Sequence, residues 1–470
     1  MVIKNHAVTI KYDEVTGFTT KIILANQGVT KGCTPTIERI DMNEVNGIEA
    51  IKGLEGKIEF ESKAGSKGIF TGSAYKINQN IITLILPDNV THVGSGLFKD
   101  EYFDIENIVW PSKCSTIPSK CFEAAHIGNV LNIKHVKTIE SEAFRRTSIE
   151  SIEWPKDCKT ICKGTFRESC LEKISGIENV EEISAEAFEG CGNLKSFKWP
   201  SKCHEIPEMC FANSGIRSID GTDKVTKIGN GAFRSSAIAE FSWPAECKII
   251  PKECFANTSI QSINNIENVT EIGDDAFKHC RLSSFRWPNA CTVVPFGCFA
   301  MSFGLEKITN LKSVEEVGNF AFAGSAISQI KFSNKLRKIG EHAFWGTSLE
   351  SISGLDNVLA VGRAAFTNCR MKSFKWPSKC QIIADETFCG CSRLENFIGF
   401  ENVTFIGKDA FKRTDIKELD LSKSVCNTIG ETAFYGSSLK KVTLGYYSAD
   451  ISSSAFEGTH VANSTANPIS

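Results

Sequence analysis

The chain has 470 residues, 53 Lys+Arg against 55 Asp+Glu, and 41% hydrophobic residues with 32 phenylalanines among them. That near-neutral balance supplies no global attraction for nucleic acid or an anionic membrane, and the apolar content excludes a disordered chain. Nineteen cysteines over this length exclude a small disulfide scaffold, and their odd number leaves at least one thiol unpaired within the chain.

The N-terminal stretch "MVIKNHAVTIKYDEVTG" has no unbroken apolar run of signal-peptide length. No later segment approaches the roughly 20 apolar residues of a membrane span, so neither membrane insertion nor an anchor is expected. "HAVTIKYDEV" and "FTTKIILANQG" predict two strands around a glycine-containing turn, and "IEAIKGLEGKIEFES" adds a third. Residues 1–75 are expected to form a small β-rich cap over the first coil of a repeat array, or a small separate recognition domain.

From residue 76 a single ruler takes over. Phenylalanine recurs at Phe98, Phe122, Phe144, Phe166, Phe188, Phe211, Phe233, Phe255, Phe277, Phe299, Phe322, Phe344, Phe366, Phe388, Phe411, Phe434 and Phe456. Of the sixteen gaps, eleven are 22 residues, four are 23 and one is 24. A period in the twenties held this long predicts a solenoid. Upstream of each Phe lies an L-x-x-[IF]-x-[LW] segment such as "LKSFKW", where strand alternation points Phe197 and Trp199 inward and Ser196 and Lys198 outward. The residues just before the Phe carry apolar side chains three to four apart, which predicts a short helix or helical turn. A chain-bending Gly or Pro, such as Gly229 or Pro207, stands four residues before the Phe.

A second period lies over the first. Trp-Pro occurs at Trp110, Trp154, Trp199, Trp243, Trp287 and Trp376, with Phe332 where a seventh would fall, at steps of 44 or 45 residues. Two unit types therefore alternate. In the Trp-Pro type, cysteine stands eight residues and one residue before the Phe, as in Cys203 and Cys210. In the other type those slots hold Val180 or Val225 and Ala187 or Ala232, so cysteine replaces small core residues. His204 has no counterpart in its sister units, where Lys248 and Thr292 stand, and a structural zinc needs four donors. A disulfide within a coil stays open beside free thiols, since Cys114/Cys121, Cys203/Cys210, Cys247/Cys254 and Cys291/Cys298 are complete pairs. Cys170, Cys191, Cys280, Cys369 and Cys391 fall in a loop slot otherwise held by Ser or Thr. The last coil, "LKKVTLGYYSADISSSAF", is atypical and reads as a C-terminal cap, with a polar tail at 460–470 beyond it.

The expected fold is thus an α/β-type leucine-rich repeat solenoid of about 17 coils of 22–23 residues over 76–459. One face would carry a continuous parallel sheet and the other short helices or turns. The segments "VTHVGSGLF", "VTEIGDDAFKHC" and "VEEVGNFAFAGS" carry V-x-x-I-G-x-x-A-F-x-x-C, which resembles the BspA-like (Treponema-type) class of leucine-rich repeat. The resemblance implies the same fold, and a cell-surface or secreted location with adhesion to host cells or matrix proteins. It brings no catalytic residues. The alternative is a cytoplasmic scaffold or regulator built on the same solenoid.

The eight histidines fall at unrelated places in their units, and no phosphate-binding loop or Ser-His-Asp set stands out, so neither an enzyme nor a cofactor is expected. What repetition does create is a face. The outward slot before Trp runs Lys198, Asp220, Ser242, Asn264, Arg286, Thr309, Lys331, Ser353, Lys375, with acidic residues thinning out after Asp220. Lys198, Arg286, Lys331 and Lys375 are the candidate contacts to a protein or glycan partner; the bland alternative is an ordinary solvated sheet.

Overall fold

The computed structural model describes residues 91–99, 104–445 and 450–461, together with the backbone of seven strands ahead of them. The chain divides into two compact units, Met1–Ile238 and Ala239–Ser470.

In the first unit, His6–Lys11 pairs antiparallel with Thr19–Asn26, the expected hairpin. Lys57–Ser62 joins this sheet antiparallel, and then Ile69–Thr71, which pairs parallel with His92–Val93. Asn80–Ile85, Asp104–Val109 and His126–Leu131 form a second, parallel set, with Thr36–Ile37 and Ile40–Asp41 on its outer edge.

Each later coil takes one path. Around Phe211, the strand Ser196–Lys198 alternates exposed, buried, exposed, a Trp-Pro turn comes next, and a two-residue strand Glu205–Ile206 leads into an arc through the Phe. Coils therefore carry two parallel strand series. The three-residue strands pair in twos, Ser151–Glu153 with Lys173–Ser175 and Ser196–Lys198 with Ser218–Asp220 in the first unit. The second unit repeats this, for example Ser284–Arg286 with Lys307–Thr309 and Ser373–Lys375 with Asn396–Ile398. The expected continuous sheet is thus segmented into two-coil blocks. Each block joins one Trp-type coil, or its Phe332 or Leu421 equivalent, to the coil after it.

The expected short helix is absent. Among the described residues the helical segments are two single 3₁₀ turns, Ile177–Asn179 and Leu311–Ser313. The arc instead places positive φ two residues before and two after the Phe: Met209 at 54° and Asn213 at 56°, Glu142 at 58° and Arg146 at 57°, His342 at 53° and Gly346 at 65°. An α-helix cannot pass through such residues. The arc's amides are satisfied differently. Lys120, Phe122 and Ala124 donate their N–H groups to the carbonyls of Ser141, Ala143 and Arg145 in the next coil, at 3.2, 2.9 and 2.8 Å. The intervening Cys121, Glu123 and Ala125 close turns onto Pro118, Lys120 and Phe122.

Inside the arc the phenylalanine rings stack face to face. Within the first unit, Phe98 to Phe233 run at centroid spacings of 5.3 to 6.0 Å. Within the second, Phe255 to Phe456 run at 5.0 to 5.7 Å. These spacings suit offset-stacked aromatic pairs.

The Trp-Pro period also has a structural cause. Each indole N–H donates to the carbonyl of the cysteine four residues on, from Trp110 to Cys114 at 3.1 Å through Trp376 to Cys380 at 2.8 Å. That cysteine's own N–H closes a turn onto the proline carbonyl. In the next coil the equivalent position holds Gly176, Gly221, Gly354 or Gly399, or Asn132, Asn265 or Asn310, all at positive φ. A Cβ on Gly176 would lie 2.7 Å from the Trp154 carbonyl oxygen, and one on Gly354 only 2.2 Å from that of Phe332. Asn132 and Asn310 donate their side-chain amides to the Trp110 and Trp287 carbonyls at 2.9 and 2.7 Å. Bulky ring and left-handed partner thus come as a pair. The glycines four residues before Phe serve close approach rather than bending: a Cβ on Gly229 would lie 2.3 Å from the Glu208 nitrogen.

Trp199→Ala should destabilise the protein by about 3–5 kcal/mol in chemical denaturation, from the cavity and lost burial. Trp199→Phe should cost about 1–3 kcal/mol, since it keeps a ring but leaves the buried Cys203 carbonyl without its donor. An unchanged unfolding midpoint for Trp199→Ala would place this ring outside the core.

Candidate functional site

Lys198, Arg286, Lys331 and Lys375 all project from exposed positions of three-residue strands. Their inward neighbours Phe197, Phe285, Ile330 and Phe374 are buried, so the face assigned from strand alternation is the face observed. Lys198 belongs to the first unit, and the other three lie on separate two-strand blocks of the second. Their surroundings differ as well. Lys198 stands directly across from Asp220, whereas Arg286 faces Thr309, Lys331 faces Ser353 and Lys375 faces Ile398. None of the four enters an ion pair among the described residues.

Lys307 occupies the other outward slot of its strand, two residues before Thr309. It lies opposite Ser284 in the block that carries Arg286, so that block presents two cations diagonally placed. Ile398, 60% exposed beside Lys375, adds an apolar surface to the same face. The thinning of acidic residues along the outward slot ends at the next block, where Asp420 faces Thr443 and Glu418 faces Lys441.

The cysteines belong to the interior. No disulfide joins any of the eighteen described cysteines, and fifteen are buried. Burial pushes the Cys203, Cys280, Cys291 and Cys369 thiols up to about 12 and Cys247 to about 11, and it also raises fully buried Cys210 and Cys254 well above the ordinary thiol value. Cys203 donates to the Val180 carbonyl of the coil before it, and the neighbouring His204 ring meets the Lys224 carbonyl at 3.0 Å. Among the described residues no three His, Cys, Asp or Glu side chains are grouped to hold a metal ion. In the slot three residues after Phe, Thr258 and Cys280 both donate to the Phe255 carbonyl, and Thr347 and Cys369 to that of Phe344. Cys170 departs from this pattern: it falls one residue later, is exposed, and leaves the slot to Ser169.

The thiols are open to two measurements. Among the described cysteines, native-state alkylation at pH 8 should modify Cys170 fastest and spare Cys210, Cys254 and Cys298 until the chain unfolds, read by peptide mass mapping. The raised folded-state values also mean that the native state holds its thiol protons longer than the unfolded chain. That stability is present below the ordinary thiol range of about 8.5 and is lost as pH rises towards 11–12. Denaturation at pH 7 and pH 10 should show the lower midpoint at pH 10.

The family described as BspA type leucine-rich repeat region (6 copies) matches residues 64–170, 159–282, 248–370 and 359–468. No curated protein matches the chain. Among solved structures, a leucine-rich repeat protein from Bacteroides ovatus is 18% identical, with a TM-score of 0.44 over 97% of this chain and 92% of that one. A leucine-rich cell surface protein from Faecalibacterium prausnitzii is 19% identical, with a TM-score of 0.39 over 87% and 96%. The pneumococcal vaccine antigen PcpA is 14% identical, with a TM-score of 0.43 over 87% and 97%. The stacked phenylalanines, the paired strand series and the matched span from 64 to 468 together place this chain in the BspA-type leucine-rich repeat family.

Proposed function

We propose that the chain is a non-enzymatic, adhesin-like binding protein whose partner docks on the outward faces of the three-residue strands. The observation that carries this reading is the group of cations Arg286, Lys331 and Lys375, exposed, outside any ion pair among the described residues, and facing uncharged neighbours across their blocks. Lys307 reinforces them, and the Lys198 contribution is reduced by Asp220 across the block. Such a face selects an anionic protein or glycan surface and acts mainly on the rate of association. A cell-surface location is the family expectation.

The lack of a disulfide among the described cysteines favours a second reading, an intracellular scaffold using the same face, because structural disulfides mark oxidising compartments. Counting free thiols in denatured, unreduced protein from its own source separates the two.

With the full chain as bait and its recovered partner as analyte, changing Lys198, Arg286, Lys331 and Lys375 together to Glu should slow association and reverse its dependence on salt. Thermal unfolding should stay within the range of the wild type, since these side chains carry no packing. Association at the wild-type rate would reduce the face to solvated surface and move the search to residues 1–75.

A further inference from the structure

Along the turn arcs of the first unit, charges on successive coils neutralise one another. Lys99 and Arg145 flank Glu123 at 3.0 and 3.2 Å, Lys120 lies 3.2 Å from Glu142, and Arg167 lies 2.9 and 3.1 Å from Glu186 and Glu189. The equivalent edge of the second unit changes character between Asp274 and Trp345. Phe296, Phe320 and Trp345 there are 44%, 36% and 36% exposed, and Phe303 is 64% exposed. The Phe296 and Phe320 rings meet edge to face at 5.7 Å, and the His342 ring stacks on Phe320 at 4.7 Å and 13°. Phe303 stands against the His279 ring at 5.6 Å. Exposed aromatic groups gathered this way mark an interaction surface.

Charge says what kind. Asp274, Phe296, Asn319 and Glu341 occupy the same slot in four successive coils, three residues before the column Phe. Both acids are exposed. Asp274 accepts the Phe296 N–H at 3.1 Å, and neither Asp274 nor Glu341 is in an ion pair among the described residues. The nearby cations are engaged elsewhere, Lys278 with Asp275 at 3.3 Å and Arg363 with Glu386. Carboxylates at both ends of a row of exposed rings are complementary to delocalised cations, and guanidinium groups fit rings and carboxylates together. Three coil steps span about 14 Å, the reach of about four extended residues.

We propose that this edge binds an arginine-rich extended segment of a partner protein, with guanidinium groups on the Phe296 and Phe320 rings between the Asp274 and Glu341 carboxylates. The site is independent of the cationic strand face and selects the opposite charge.

The test uses the full chain and a fluorescein-labelled nona-arginine peptide read by anisotropy, with nona-glutamate as comparison. Nona-arginine should bind, and any binding of nona-glutamate, at the cationic strand face, should be unchanged by the variants of the aromatic edge. The double variant Phe296→Ala/Phe320→Ala should weaken binding about tenfold. It should fold, because both rings are exposed and Ala364 already occupies the Phe320 slot at φ 54°. Asp274→Asn/Glu341→Gln should weaken binding several-fold, while Glu181→Gln/Glu205→Gln in the first unit should leave it unchanged. Wild-type affinity in the aromatic double variant would overturn the proposal, as would an equal loss in the first-unit variant, which would make binding a matter of net charge.

Discussion

The arc around each phenylalanine carries the rest of the structure. Its alternating left-handed residues aim every second amide along the stack, so the arc adds backbone bonds and a ring contact between coils to those of the strand pairs. Left-handed backbone is unfavourable for residues with a Cβ, yet Lys, Glu, Arg, Met and Thr all adopt it here, at Lys120, Glu142, Arg146, Met209 and Thr432. A single such residue costs about 1–3 kcal/mol and persists only where its surroundings over-determine it. Here the neighbouring coils supply that determination: each strained amide finds its acceptor because the adjacent coil is strained in the same way. The geometry is therefore collective, and an isolated coil has no reason to adopt it.

A second constraint couples coils in pairs. A tryptophan uses a turn carbonyl four residues on and faces a glycine or asparagine in the next coil, and the left-handed partner is kept even where Phe332 replaces tryptophan opposite Gly354. Cysteine fits the interior of the Trp-type coil for a related reason: it fills the volume of Val or Ala and lends a weak donor to a neighbouring carbonyl. Its chemistry is suppressed by the same burial that makes it fit. The block of two coils, rather than the single coil, is thus the unit in which side-chain choices are consistent.

Periodicity in the sequence carried the coil length, the inward strand residues and the alternation of unit types, because burial repeats faithfully at Phe197, Trp199 and Phe211. It misled in the segment before each Phe. Apolar spacing of three to four residues there suggested a helix, but the arc buries the same residues through left-handed turns, and Glu142 or Met209 carries no side-chain signal of positive φ. The pairing of Trp with Gly or Asn is visible in the aligned sequence, but its cause is a carbonyl contact between coils. The cationic slots were legible as outward positions. Their electrostatic inequality was not, since Asp220 opposite Lys198 and Lys307 beside Arg286 are relations across strands. The exposed rings at Phe296, Phe320 and His342 stood in slots that the repeat leaves variable, so no period exposed them.

The direction of the arc bonds has an electrical consequence. From Glu142 to Lys163, from Phe299 to Ala321 and from Gly436 to Glu457, the N–H always belongs to the earlier coil and the carbonyl to the later one. Within the arcs, peptide dipoles of about 3.5 D are thus aligned along the column, as they are along an α-helix but in the opposite sense, while bonds outside the arcs, such as Gly229 N–H to the Ile206 carbonyl, run the other way. In a helix the unpaired N–H groups gather at the N-terminal end; in these stacks they gather at the C-terminal end, and carbonyl oxygens collect at the other. Each arc column is a polar row, and a coil joined to either end must enter in one orientation to complete it.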